Sequence, residues 1–430
     1  MKQKMKLTAL ERSWILYDIG NSAFILLVST LIPIYFNALA AADNLDENLY
    51  LSYWGYAGSL ATILVAVIGP ICGALADRNK KKFLFSLCLG LGVAGCTLLG
   101  FCPGWLAFLA VFVVARVGYS SSLVFYDSML TEITDESRMD RVSSMGYAFG
   151  YIGSVIPFIV CLVLVLGCGA FGMSQSSAMS VSFLLTALWW LGCSLPLLKG
   201  YRQTAFVSAQ GRSPIGESFR QLGRTIRDAR KQPHIFLYLV AFFFFIDGVY
   251  TIIDMATAYG AALGLDTTGL LLALLLTQFV AFPFSILFGR LSARYDTGLL
   301  IKVCIGAYTG ITLFAVFLVS QWQFWVLAVL VGMFQGGIQA LSRSYLGKII
   351  PAERSGEYYG LMDICGKGAS FVGMTVVSVL SQVGAGVTVE VFGITLQNEN
   401  LAVSSLIVLF AVGFTLFCKA DRLNRERQKG

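Results

Sequence analysis

Gly73-Ala-Leu-Ala-Asp77-Arg78-Asn-Lys80-Lys81-Lys82 sits between two long apolar runs. It is too short to be a domain and too charged to lie in lipid, so it reads as a tight turn at a membrane surface. A weaker copy, Gly289-Arg290-Leu-Ser-Ala-Arg294-Tyr-Asp296, follows 216 residues later, at half the length of the 430-residue chain. The spacing predicts a duplicated membrane bundle.

Composition agrees. The chain is 57% hydrophobic and 13% charged, with a mean hydropathy of +0.75. A water-soluble domain carries roughly 25% charged residues. Apolar runs of about 20 residues mark membrane-spanning helices. Twelve are read here, at approximately 13–40, 50–76, 83–102, 105–130, 143–167, 178–198, 235–262, 268–292, 298–320, 322–346, 358–383 and 399–418. The expected fold is therefore an all-α membrane protein of two six-helix pseudo-symmetric bundles, 1–198 and 234–430, joined by a polar linker, 199–233. Within the linker, Ser213-Pro214 reads as a helix start. Ile215, Phe219, Leu222 and Ile226 then share one face and Arg220, Arg224, Arg227 and Arg230 take much of the rest, the pattern of a helix lying on a leaflet.

Orientation follows from Lys and Arg. Of the 31 in the chain, all but Arg116 and Lys367 fall in the N-terminus, the tail and alternate connections, on one side throughout. The positive-inside rule makes that side the cytoplasm and places both termini there. The basic N-terminus (Lys2, Lys4, Lys6) precedes an apolar run too long for a cleaved signal, and that run holds Asp18 and Asn21, so the first helix is expected to stay. Ten cysteines form no CxxC pair and most lie in apolar runs; the single histidine, His234, stands at a helix entrance. No metal site, cofactor or nucleic-acid partner is expected, and no P-loop, HExxH or GxSxG pattern points to an enzyme. The expected partners are a small solute, the bilayer and a coupling proton, and the expected state is a monomer.

Charges inside lipid are costly, about 2.5–3.5 kcal/mol each at the helix centre, so those retained face a bundle interior or a wet cavity. Arg116 lies near the middle of the fourth span and suits an anionic substrate group; a structural ion pair is the alternative. Asp127 follows three turns on, on nearly the same face. Asp247, mid-way through the seventh span, and Asp254 two turns on are candidates for proton coupling or for holding a cationic group, with pairing to Arg116 or Lys367 as the plainer reading. Asp363 and Lys367 are spaced to pair along one helix face. Asp18 and Asn21 fit a gate or a binding role, and Gln335 and Gln339 share a face that could hydrogen-bond a polar solute or a neighbouring helix. Gly146, Gly150 and Gly153 read as a close helix contact.

In the turn itself, glycine lets helices approach, Asp77 can accept hydrogen bonds from a neighbouring helix start, and the cations hold the turn in water. Gly73-xxx-Asp77-Arg78-xxx-Lys82 resembles the signature turn of the major facilitator superfamily; in the second half Ala293 stands where that signature has its acid. The resemblance implies a gate set of Gly73, Asp77, Arg78 and Lys82, with Asp127 and Arg343.

A narrower resemblance covers nearly the whole chain. It is carried by Trp14-x-x-Tyr17-Asp18-x-x-Asn21-Ser22-Ala23-Phe24, Arg141-Val-Ser143-Ser144-x-Gly146-Tyr147-x-x-Gly150-Tyr151-x-Gly153, Asp247-Gly248-Val-x-Thr251, Gly336-Gly337-x-Gln339-Ala340-x-Ser342-Arg343-Ser344-Tyr345, Pro351-x-Glu353-Arg354-Ser355-Gly356-Glu357 and Asp363-x-x-Gly366-Lys367-Gly368. Together these are similar to the vacuole-effluxer family, related to autophagy protein 22 of fungi. The resemblance implies a secondary transporter of a small solute, an amino acid, working by alternating access; the compact chain suggests a bacterial plasma membrane. The alternatives are a carrier of amphipathic molecules such as lysolipids or drugs, and a non-transporting sensor on the same fold.

Overall fold

The protein is described from a computed structural model, which places residues 6–45, 47–207, 227, 230–383, 388–391 and 394–429. The amphipathic helix expected in the linker falls largely outside the described residues. Among them, twelve helical stretches are long and apolar enough to cross a membrane.

The first span is interrupted. Helix α1 (Ala9–Val28) opens on a capping box, in which the Thr8 hydroxyl accepts from the Glu11 N–H and the Glu11 carboxylate accepts from the Thr8 N–H. It ends at Ser29, and α2 (Leu31–Ala42) restarts after a distorted Thr30. Pro33 explains the break: it has no N–H to give to Ser29, and its ring crowds that carbonyl. The other spans of the first half are α3 (Glu47–Ala76), α4 (Lys81–Leu98), α5 (Trp105–Ile133), α6 (Glu136–Leu166) and α7 (Gln175–Gly200). The second half supplies α8 (Pro233–Ala262), α9 (Thr267–Leu291), α10 (Thr297–Val316), α11 (Gln321–Ile349), α12 (Ser355–Val383) and α13 (Asn398–Lys429).

Asp266 and Asp296 cap α9 and α10 by accepting from Gly269 and Leu299 N–H. A short antiparallel hairpin, β1 (Thr388–Val391) with β2 (Ile394–Gln397), joins α12 to α13 where the sequence reading expects only a connection. Helix α13 also runs about three turns past its apolar stretch. Its extension is held by Asp421, whose carboxylate accepts from Lys302 Nζ at 2.6 Å and from Tyr345 OH at 3.3 Å.

The helices gather into two compact units. The first holds α1–α5, α6 from Phe149, α7, and the start of α12 (352–360); the second holds the start of α6 (136–148), α8–α11, α12 from Leu361, and α13. In the first unit α1 packs on α7, α4 on α5 and α3 on α5. In the second, α8 packs on α13, α10 on α11 and α9 on α11. Each second-unit pair is the counterpart, half a chain later, of a first-unit pair. The duplication inferred from the two turns therefore extends to the packing scheme.

Small residues set the closest crossings. A Cβ built on Gly118 would strike the backbone of Gly92, and one on Gly95 would strike Ala115, so α4 and α5 meet backbone to backbone. Gly118→Ala should cost about 1–3 kcal/mol by overpacking, read as a lower melting temperature of the purified protein. Gly90→Ala, on the same helix pair but facing open space, should leave the melting temperature unchanged or raise it.

Candidate transport site and gate

The carboxylate of Asp77 lies at the start of α12. Its two oxygens accept from the backbone N–H groups of Gly356 at 2.8 Å and Glu357 at 2.9 Å. These are orphan donors of a helix N-terminus, where the dipole favours an anion. Gly73 and Gly356 make this possible, since a Cβ on either would collide with the other's carbonyl oxygen. The turn closes through Asn79 at φ 62°, a left-handed conformation that asparagine tolerates.

The neighbouring cation is Lys81, not Lys82. Lys81 is 0% exposed, and its ammonium donates to Glu132, to the Ser355 hydroxyl at 2.9 Å and to the Ser128 carbonyl at 3.4 Å. Lys82, one residue on, is half-buried. Glu132 in turn accepts from Tyr201 OH at 2.9 Å and from the N–H groups of Thr204 and Ala205, fastening the segment after α7 beneath the turn. Gln203 completes the clasp: its Oε1 accepts from Lys81 N–H and its Nε2 donates to the Ala76 carbonyl. Arg78 is half-buried beside the clasp. Sequence reasoning misses Lys81, Glu132 and Ser355. A run of three lysines does not say which one turns inward, and a search for charges deep in the spans passes over an acid at a helix end.

Arg343 of α11 donates through Nε to Ser143 Oγ at 2.9 Å and through Nη2 to the Ser143 carbonyl at 3.0 Å, and stacks 4.4 Å from the Tyr147 ring centroid. Asp127 is half-buried, two turns beyond Ser120 on α5.

Deeper in α5, Arg116 differs from every cation above. Its guanidinium lies 5.8 Å from the Tyr119 ring, and its Nη1 is buried with no hydrogen-bond partner among the described residues. Tyr119 continues into an aromatic cluster with Phe24 and Trp190, at 5.3 and 5.8 Å between ring centroids, and Trp190 Nε1 is likewise buried and unmatched. One turn beyond Tyr119 on α5, Ser122 Oγ lies 2.6 Å from Tyr17 OH of α1.

In the second unit Asp247 of α8 is 0% exposed. Its Oδ1 accepts from Gly373 N–H at 2.9 Å and Thr251 Oγ1 at 3.2 Å; its Oδ2 is buried with no partner among the described residues. The approach needs Gly373, because a Cβ there would overlap the carboxylate. Lys367 donates to both oxygens of Asp363, one turn earlier on α12. Asp254, expected to face the same way as Asp247, is exposed. Gln335 is buried and Gln339 half-buried on α11. Asp18 and Asn21 are buried together, Asn21 Nδ2 donating to Asp18 Oδ1 at 3.5 Å, with Gly150 of α6 packed against the Asp18 carbonyl.

Burial pushes the Asp77 carboxyl up to about 7, against the opposing pull of Lys81 and of the two N–H groups it caps. The folded chain thus holds this proton more tightly than the unfolded chain. The stability contributed by the neutral form is complete below about pH 4 and is lost as pH rises through about 7. The melting temperature should therefore fall between pH 5 and pH 8 by more in the wild type than in Asp77→Asn, which has no proton to lose there.

The vacuole effluxer Atg22-like family model matches residues 9–429. An uncharacterized MFS-type transporter, YxiO, of Bacillus subtilis (strain 168) is 38% identical over 96% of this chain and 94% of its own length. Autophagy-related protein 22-1 of Aspergillus fumigatus is 29% identical over 56% of this chain and 43% of its own length. Among solved structures, a bacterial homologue of the iron transporter ferroportin in an outward-facing state superposes with a TM-score of 0.68 over 96% of this chain and 98% of that one, at 14% identity.

Proposed function

The chain belongs to the vacuole effluxer Atg22-like family, and we propose that within it the protein carries an amino acid across the membrane by alternating access, coupled to protons. It is a twelve-span membrane transporter of the major facilitator fold, not an enzyme. The basic turns favour a cytoplasmic side for both termini, and we propose the plasma membrane as the location.

The observation that carries the substrate reading is Arg116. Lys81, Arg343 and Lys367 each have an acid, a carbonyl or a hydroxyl as partner. Arg116 has a ring face, with a buried Nη1 left over. Arg116 is half-buried; a buried guanidinium nitrogen with no hydrogen-bond partner costs about 1–3 kcal/mol, and a carboxylate offers the fork geometry that removes the cost. The rings of Phe24, Tyr119 and Trp190 beside it suit a solute with an apolar part.

Asp247 supports the coupling reading. It receives two neutral donors, with one oxygen unmatched, so taking up a proton gives that oxygen a hydrogen to share and removes a buried charge. Asp363 and Lys367, by contrast, neutralise each other.

Uptake into proteoliposomes of purified protein, with a panel of radiolabelled amino acids and lysolipids and with or without an imposed pH gradient, tests both readings. At least one amino acid should accumulate. Arg116→Ala should lower its uptake by about tenfold or more, with Arg116→Lys intermediate because it keeps charge but not the fork. Accumulation of lysolipid alone, or uptake indifferent to Arg116→Ala, would contradict the site. Asp247→Asn should abolish the response to the pH gradient while leaving exchange of labelled for unlabelled solute.

A further inference from the structure

His234 is the single histidine of the chain and stands second in α8, after Pro233. It is buried, and its Nε2 lies 2.6 Å from Nη1 of Arg427, near the end of α13. A guanidinium has hydrogens to give and no lone pair to receive one. Arg427 is therefore the donor and Nε2 the acceptor, which makes the imidazole the neutral form with its hydrogen on Nδ1. The contact exists only in that form. A proton on Nε2 removes the lone pair and sets two cations against each other. Arg427 itself is exposed, so water and protons reach the pair.

The surroundings give a charged imidazole little help. At the start of α8 the helix dipole opposes a cation, and Arg230 and Lys231 come just before it. The acids nearby are engaged elsewhere. On α13, Asp421 accepts from Lys302, Tyr345 and Arg425, and Glu426 accepts from Arg422. Asp296, which caps α10, accepts from Arg425. Helix α11 packs on the same stretch of α8, with the Tyr345 and Tyr238 rings 5.0 Å apart. Its Lys348 donates to Asp140 of α6 at 2.6 Å, and its Arg343 donates to Ser143. The negative end of the α13 dipole is already met by Arg427.

We infer that His234 and Arg427 form an acid-released clasp, which ties the end of α13 to the start of α8 while the imidazole is neutral and lets it go once the imidazole is charged. Both residues belong to the second unit, so the release is local. Among the other ties beyond Asp421, the pair of Arg425 with Asp296 is exposed on both sides, and such a pair is worth little. The hold on the last turns of α13 thus follows the pH of the water at the basic-turn face. Histidine suits that task, since its ordinary pKa of about 6.5 lies within the range a cell traverses. The inference goes beyond the transport reading and borrows nothing from it.

Hydrogen–deuterium exchange, read by mass spectrometry on the full chain in lipid nanodiscs, tests this at pH 7.5 and pH 5.5, with labelling times scaled to the intrinsic rate at each pH. Asp77, pushed up to about 7, titrates in the same window, so Asp77→Asn serves as the parent chain. A histidine-free purification tag keeps His234 the one imidazole. Segment 422–429 should exchange about fivefold faster at the lower pH, with 297–305 on α10 unchanged. His234→Gln keeps an uncharged acceptor at both pH values and should remove the difference. Arg427→Ala should exchange fast at both. Equal exchange at the two pH values in the parent would overturn the inference. The same acceleration in His234→Gln would assign the effect to the acids of α13, and acceleration reaching 297–305 would show general loosening; either would also overturn it. Should His234→Gln fail to fold, the lone histidine, carbon-13-labelled in its ring, reports its own titration by NMR. Its midpoint should lie at lower pH in the parent than in Arg427→Ala, because the guanidinium opposes a second positive charge. Coincident midpoints would overturn the clasp. No solute enters either measurement, so their failure leaves the amino-acid reading untouched, and failure of the uptake assay leaves the clasp untouched.

Discussion

A lysine ammonium with none of its surface in water is the constraint on which the basic face depends. Lys81 tolerates that position because three oxygens, of Glu132, Ser355 and Ser128, surround its ammonium. Taking one partner from a buried pair costs about 3–5 kcal/mol, so each of these groups is tied to the others' placement. Glu132 must stay at the end of α5, which fixes the segment 201–207 that donates to it. Ser355 must stay at the start of α12, which brings Gly356 against Gly73 and the helix N–H groups onto Asp77. One buried charge thus sets the positions of four separate stretches of chain.

Charges in this protein sort by whether the fold completes them. Lys81, Lys348, Arg343 and Lys367 have protein oxygens as partners. Arg116 and Asp247 each keep a buried atom without one among the described residues. A folded chain gains nothing from an incomplete charge in an apolar interior. In that respect the two differ from the charges the fold completes.

The twelve spans, the duplication and the signature turn were legible in the sequence because each depends on a long-range average: hydropathy over about 20 residues, the side of the basic clusters, or an offset of half the chain. What was not legible depends on a single rotation or step. Lys81 and Lys82 are the same residue type one position apart, and only the packing of α4 on α5 decides which is buried. Asp254 follows Asp247 by two turns, yet Asp247 is buried and Asp254 is exposed, so periodicity predicted its direction but not its exposure. The break at Thr30 could have been read from Pro33, but the apolar run through it hides a helix end from any hydropathy measure. The hairpin of β1 and β2 does alternate, Thr388-Val-Glu-Val and Ile394-Thr-Leu-Gln, but a reading by hydropathy over about 20 residues passes over strands of four.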